Sequence, residues 1–347
     1  MTARITISLD AMGGDNAPDV VVHGIQIAKA RLPHVQFLLF GDQARLDPLL
    51  AHLPDVRACC TVVHTEHAIS GDDKPSQVLR NGRQSSMWRA VDAVARGEAA
   101  GVVSAGNTGA LMAVSKFVLR MLPGLDRPAI AGFFPTVRGE SVMLDLGANI
   151  DCGANNLVEF AVMGEVFARI VLGIEQPSVG LLNVGSEDLK GNDAVRAAAA
   201  TLRSGTLPIR FHGFVEGNDI ALGTVDVVVS DGFSGNIALK SAEGLAKMYS
   251  AFLRDAFSSS LFAKIGYMLA KPALAKVKAR TDPRRYNGAM FLGLNGIAVK
   301  SHGGTDAIGF ANAIAVAVDL VGHGFNDRIK RELARLKADS PVQAVAL

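Results

Sequence analysis

Cysteine is scarce in this 347-residue chain, with only Cys59, Cys60 and Cys152 present. Two of the three are adjacent, which strains an intramolecular bridge, and no metal-ligand spacing occurs. A disulfide scaffold and a cysteine-built zinc site are both disfavoured, and the thiols read as reduced and partly buried, as in a cytosolic protein. Aromatic residues reach only 6%. An excess of one charge is missing too. The 35 Lys and Arg against 33 Asp and Glu leave a formal charge of +2, so nothing in the totals draws the chain toward nucleic acid. Long hydrophobic runs are lacking, since a bilayer span needs about 20 apolar residues. The best stretch, GFANAIAVAVDLVG, is short and carries Asp319. The opening MTARITISLD goes straight into strand pattern with no apolar signal-peptide core. These absences lead to the expectation of a soluble, cytoplasmic protein.

Three catalytic signatures are absent as well. There is no G-x-G-x-x-G dinucleotide fingerprint and no G-x-S-x-G nucleophile elbow. The stretch Gly185-Ser186-Glu187-Asp188-Leu189-Lys190-Gly191 resembles a nucleotide loop, but the lysine precedes the second glycine and the glycine spacing is one residue too long. His64 and His67 sit three apart without a third ligand, so no metal site is expected.

What is present is a recurring alternation. RITISLD, VQFLLFGD, AAGVVSAGN, GESVMLDLGAN, SVGLLNVGS and TVDVVVSDG are short apolar strands ending in Gly, Asp, Asn or Ser. Most precede helix-length amphipathic stretches such as ALMAVSKFVLRML and NIALKSAEGLAKMYSAFLRDAF. Strands apolar on both faces and alternating with helices mean βαβ units and a largely parallel sheet. Turns at Val137-Arg138-Gly139 and at Asn295-Gly296 predict two hairpins, hence some antiparallel pairing. A single α/β catalytic domain is expected over 1–340, with a basic amphipathic helical insertion at about 254–285 and a tail at 341–347.

In open α/β sheets, ligands sit outside the carboxyl ends of the strands, where loops meet helix N-termini. Ser104-Ala105-Gly106-Asn107-Thr108-Gly109 lies at such a junction, and Ser230-Asp231-Gly232-Phe233-Ser234-Gly235-Asn236 repeats the pattern. On one sheet edge, both would favour an anion through backbone N–H groups and the helix dipole. Plain N-capping by Asn, Ser and Thr is the alternative. Lys190 could supply a mobile cation to phosphate or a developing oxyanion, or merely solvate its loop. His302 ends a strand beside Gly303 and Gly304. In the first junction, Asp10-Ala11-Met12-Gly13-Gly14-Asp15, the glycines allow close backbone approach and Pro18 is placed to start a helix. Asp10 and Asp15 would repel bare phosphate, so they are expected to accept hydrogen bonds from donors such as Lys190, His302 or backbone amides.

In order along the chain, LDAMGGDNAP, DDKPSQVLR, SSMWRAVD, VSAGNTGALMA, LDLGAN, KGND, SDGFSGNIALKSAEG and GLNGIAVKSHGGTDA resemble the motifs of the bacterial phosphate acyltransferases, the acyl-[acyl-carrier-protein]:phosphate transacylases of phospholipid synthesis. The resemblance runs from about residue 5 to about 325. Ser186 and Trp88 depart from it, standing where an acid and a basic residue are common. It implies a three-layer α/β/α fold similar to isocitrate/isopropylmalate dehydrogenases and phosphotransacetylase, usually a homodimer. The implied activity is reversible transfer of a long fatty acyl group from acyl carrier protein to inorganic phosphate, the product passing to a membrane glycerol-3-phosphate acyltransferase. Phosphate is already an anionic nucleophile, and thioester and acyl phosphate are both activated, so no cofactor is required. On family-matching positions, Gly13, Gly14, Gly106, Asn107, Thr108, Ser234, Gly235 and Asn236 are expected to cradle phosphate and substrate. Lys190 is expected to supply charge, His302 to exchange protons, and Asp10 to orient a donor or the histidine.

The segment 254–285 places Leu261, Phe262, Ile265, Met268 and Leu269 at helical spacing among Lys264, Lys271, Lys276, Lys278 and Arg280. Pro272 is expected to break or kink it. A core helix and a dimer-packing helix are the ordinary readings. A basic amphipathic hairpin also suits an anionic bilayer surface, through Leu261, Phe262, Ile265 and Leu269. Three other functions stay open: a phosphotransacetylase-like enzyme using acyl-CoA, a decarboxylating dehydrogenase, and a non-catalytic membrane scaffold.

Overall fold

The structure, a computed structural model, describes residues 5–205 and 207–331; the tail expected at 341–347 lies outside the described residues. Strands are β1 (Ile5–Asp10), β2 (Val35–Gly41), β3 (Cys60–His64), β4 (Gly101–Ser104), β5 (Ala129–Pro135), β6 (Glu140–Leu144), β7 (Ser178–Leu182), β8 (Arg210–Val215), β9 (Val227–Val229), β10 (Ala289–Leu292) and β11 (Ile297–Lys300). Helices are α1 (Asp19–Arg31), α2 (Gln43–Ala51), α3 (Pro54–Arg57), α4 (Pro75–Asn81), α5 (Ser86–Ala95), α6 (Thr108–Leu119), α7 (Ala154–Val171), α8 (Asp193–Arg203), α9 (Gly217–Leu222), α10 (Gly232–Ser258), α11 (Leu261–Arg280) and α12 (Ala307–Gly322).

All eleven strands join one sheet in the order β3-β2-β1-β4-β11-β10-β5-β6-β9-β7-β8. Neighbours are parallel from β3 to β11 and again from β6 to β8. Between these blocks, β11–β10, β10–β5 and β5–β6 are antiparallel, and both expected hairpins are present. Three reversals give the two parallel blocks opposite directions. The carboxyl ends of β1, β4 and β11 therefore lie on one edge of the sheet, and those of β6, β7 and β9 on the other.

Side chains alternate along each strand and feed two cores. Leu9, Val103, Val142, Leu144, Val227 and Val299 pack on one face under α1, α7, α8 and α12. Val102, Met143, Val228 and Ala298 pack on the other beneath α5 and α6. The result is the three-layer α/β/α sandwich with a mostly parallel, partly mixed sheet. The apolar stretch of α12 belongs to this core, with Phe310, Ile314 and Ala317 wholly buried. No single described helix is long and apolar enough to cross a membrane.

The basic helical segment is built from two helices. Helix α10 starts directly after β9 and runs 27 residues, and α11 folds back against it. Pro272 lies inside α11 without ending it. Ring contact between Phe257 and Tyr267, with centroids 5.3 Å apart, helps join the pair. Neither helix has a buried side chain past Gly235.

Phe310→Ala, which empties a fully buried site, should cost about 3–5 kcal/mol in urea-unfolding measurements, whereas Phe262→Ala on the exposed helix α11 should cost far less.

Candidate active site

From β1 the chain builds outward through β2 to β3, then returns to place β4 on the other side of β1. That reversal makes β1/β4 a topological switch point, where a crevice opens above the strand ends. Asp10 closes β1 at this point and is 1% exposed. A carboxylate taken out of water needs donors. Ser104, at the end of β4, donates its hydroxyl to Asp10 Oδ2 at 2.7 Å. Ser86 donates to Oδ1 at 2.6 Å. Ser85 places Ser86 there by capping α5, accepting from Trp88 N at 3.2 Å. Ser104 Oγ in turn accepts from Gly106 N at 3.0 Å, so Asp10 indirectly holds the backbone of the β4–α6 loop.

The double glycine is explained by this crowding. A Cβ on Gly13 would fall 2.3 Å from Asp10 Oδ2 and 2.8 Å from Gly106 N. Gly14, at φ +101°, carries the chain onward beneath Ala105. Asp15 N then donates to Gly303 O at 3.0 Å, and Ser301 N donates to Ser104 O at 2.9 Å. The loops after β1, β4 and β11 are thus tied together.

Lys300 ends β11 at the same place, its Nζ donating to Ala105 O at 3.3 Å and to Ser301 O. Burial lowers its pKa to about 8, with Asp10 and Asp15 opposing and Lys240 of α10 adding to the fall. Asp10 is pushed above its usual range by burial, against the pull of the Ser86 and Ser104 hydroxyls. Loss of solvent also lowers His302, assisted by Lys240 and opposed by Glu243. His302 Nδ1 accepts from Gly304 N at 3.1 Å, which puts the proton of the neutral ring on Nε2.

Asp10, Gly13, Gly14, Gly106 and His302 therefore share one crevice, as expected together. Of the donors expected for Asp10, a backbone amide is present, Met12 N at 3.4 Å, while two serines take the place of Lys190 and His302. Asn107 lies beside the crevice as the cap of α6, accepting from Ala110 N at 2.9 Å. Its amide nitrogen is engaged by Gly71 O at 2.6 Å and Asp73 O at 3.2 Å, so that side chain braces a neighbouring loop. Thr108 is exposed at the first turn of α6.

The second junction is on the opposite sheet edge, contrary to the expectation of a shared one. There Asp145 follows β6, fully buried, and accepts from Ile130 N at 2.9 Å, Asn149 N at 2.7 Å and Asn149 Nδ2 at 2.9 Å. Asn236 Nδ2 donates to Leu146 O at 3.0 Å, and Ser234 N donates to Asp231 Oδ1 at 2.6 Å. A Cβ on Gly235 would meet Asp145 O at 2.0 Å. Ser234, Gly235 and Asn236 thus fasten the start of α10 to the LDLGAN loop. Lys190 is on the exposed loop after β7, seven steps from β1 in the strand order. Within one chain these residues start from the opposite sheet edge, while α10 brings Lys240, four residues past Asn236, toward Lys300 and His302.

Three residues of the crevice were not among the expected site residues. Lys300 and Ser104 each end an apolar strand, a signal that could have been weighted. Ser86 belongs to a helix start and carries no such mark.

The fold is one shared with phosphotransacetylases and with dehydrogenases of a related architecture. The chain aligns with a phosphotransacetylase from Streptococcus pyogenes at TM-score 0.59 and 17% identity, covering 92% of this chain and 95% of that one. A phosphotransacetylase from Staphylococcus aureus aligns at 0.56 and 16%, covering 93% and 94%. A 4-hydroxythreonine-4-phosphate dehydrogenase from Klebsiella pneumoniae aligns at 0.54 and 14%, covering 92% and 98%. Residues 5–328 match the family described as fatty acid synthesis protein, and the chain belongs to that family. Its relatives include a phosphate acyltransferase of Paramagnetospirillum magneticum, 71% identical over 100% of this chain and 99% of the relative. Another from Rhodospirillum rubrum is 65% identical over 97% of each. The protein is an acyltransferase of fatty acid and phospholipid synthesis.

Because the native state holds the Asp10 proton more tightly than the unfolded chain, Asp10 makes stability fall as pH rises from 3.8 toward its raised native value. Urea unfolding across that window should show a shallower fall in Asp10→Asn. Ser104→Ala, which strips a donor from the buried carboxylate, should lose about 1–3 kcal/mol.

Proposed function

We propose that the protein transfers a long-chain fatty acyl group reversibly from the thioester of acyl carrier protein to inorganic phosphate, yielding an acyl phosphate for phosphatidic acid synthesis. The observation that carries this reading is the glycine-lined crevice over Asp10, Ser104 and Lys300, in a chain whose relatives are phosphate acyltransferases. Phosphate needs positioning beside the carbonyl more than it needs deprotonation. The Gly14 N–H and the N–H groups at the start of α6 are suited to hold it and the oxyanion that forms on acyl attack, the Gly13 and Gly106 amides being already given to Asp10 and Ser104. Loss of one oxyanion donor typically lowers rate by about 10²–10³. Asp10 acts through Ser104 to fix the Gly106 amide. His302, at the rim, would exchange a proton with the departing thiolate.

The structural neighbours favour one second reading, a phosphotransacetylase-like enzyme using acyl-CoA. Purified protein should release carrier protein from long-chain acyl carrier protein only when phosphate is added, and more slowly from short-chain acyl-CoA. Preference for short acyl-CoA would overturn the proposal in favour of the second reading.

The protein is further proposed to be cytoplasmic, acting as a homodimer at the inner face of the cell membrane. There it would hand its product to a membrane glycerol-3-phosphate acyltransferase. Exposed Leu245, Tyr249 and Phe252 on α10 supply an apolar face for a second copy. Leu261, Phe262, Ile265 and Leu269 are exposed on α11, amid lysines, which supports contact with an anionic bilayer. The double variant Ile265→Glu, Leu269→Glu should no longer float with anionic vesicles; unchanged flotation would contradict membrane contact through this face.

A further inference from the structure

We propose that Lys300 is the cation that binds the phosphate co-substrate in the Asp10 crevice, a role resting on the phosphate-transfer reading above. Lys300 is the last residue of β11, and β11 lies parallel to β4, so its side chain reaches the point where the loops after β1, β4 and β11 converge. The only hydrogen bonds of its Nζ among the described residues go to two carbonyl oxygens, Ala105 O and Ser301 O. An ammonium has three donors, so one remains for a ligand.

Its charge is the unexplained feature. Among the described residues, no carboxylate lies within 4.0 Å of Nζ. A largely desolvated ammonium without an ion-pair partner is costly unless something supplies the counter-charge. Asp10 cannot do so at close range, because Ser86 and Ser104 hold its two oxygens. A phosphate dianion seated against Nζ and the Gly14 backbone supplies it. The acids nearby then serve a purpose the sequence made puzzling. Asp10 and Asp15 keep Lys300 protonated enough to attract the anion, without entering its coordination shell.

A pH signature follows. The charged groups facing Lys300 are Asp10, Asp15 and Lys240, with His302 close by. His302 titrates below its ordinary 6.5, so the alkaline limb belongs to Lys300. The cation is fully present below about 8 and is lost as pH rises through that value. Bound phosphate favours the charged form, so the KM for phosphate should climb above about pH 8 while the KM for the acyl donor stays level.

The decisive experiment combines kinetics with lysine labelling by reductive methylation and mass spectrometry. Lys300→Met should raise the phosphate KM at least about tenfold with donor KM unchanged, taking RT ln 10 as 1.4 kcal/mol. Lys300→Arg should recover part of the affinity and abolish the alkaline rise, because arginine stays charged. In the wild-type protein, inorganic phosphate should protect Lys300 from methylation and leave surface Lys264 unprotected, which reads binding even if Lys300→Met fails to fold. Labelling indifferent to phosphate in an enzyme that still consumes phosphate overturns the Lys300 assignment alone. So does a rise in donor KM in place of phosphate KM. If wild-type protein shows no phosphate-dependent acyl release, the functional reading falls, and this assignment with it.

Discussion

Burial of the Asp10 carboxyl at the β1/β4 switch point is the constraint on which the architecture of the crevice depends. A carboxylate at 1% exposure must be satisfied from within. The Ser86 and Ser104 hydroxyls do this from two different elements, α5 and β4. Each then fixes something else: Ser86 sets the start of α5 against the crevice, and Ser104 holds the Gly106 amide. Gly13 has no side chain because Asp10 Oδ2 occupies that space. The polar residues that line the crevice are therefore a consequence of one buried acid and its donors. The acid also helps keep the lysine beside it charged, opposing the effect of burial.

The reversal in the middle of the sheet sets the second feature of the molecule. Because β6, β7 and β9 run opposite to β1, β4 and β11, α10 starts at the far edge, fastened there by Asn236 and Asp145. It is 27 residues long, and at about 1.5 Å per residue spans roughly 40 Å. Its first twelve residues bring Lys240 and Glu243 to the neighbourhood of His302, and the rest of the helix runs out to the exposed hairpin with α11. One helix thus links the far loop cluster, the rim of the crevice and the apolar surface proposed for the membrane and for a second subunit.

Much of this was legible in the sequence. Apolar runs ending in small polar residues marked the strands, and Val137–Gly139 and Asn295-Gly296 marked two reversals, because these are local signals. The third reversal, β10 against β5, pairs residues about 160 positions apart through Met290↔Ala131 and leaves no local trace. With two reversals both junction loops would share an edge; the third separates them. That single non-local pairing is why the SDGFSGN loop was expected on the same sheet edge as Asp10 and starts from the opposite one. Within the crevice, Asp10, Gly13, Gly14, Gly106 and His302 were readable from their place at strand ends. Lys190 drew notice because its loop imitates a nucleotide motif, yet it is solvent-exposed. Lys300 was hidden in plain strand pattern, where a terminal lysine usually only snorkels to water.

The central claim is that phosphate and the acyl thioester meet over Asp10 and Lys300. A crystal structure of the protein with phosphate and a long-chain acyl pantetheine analogue tests it most directly. The account predicts phosphate density within hydrogen-bond reach of Lys300 Nζ and the Gly14 backbone, with the thioester carbonyl beside it. Phosphate bound instead at the Asp145–Asn236 loop, with the crevice empty, would contradict it.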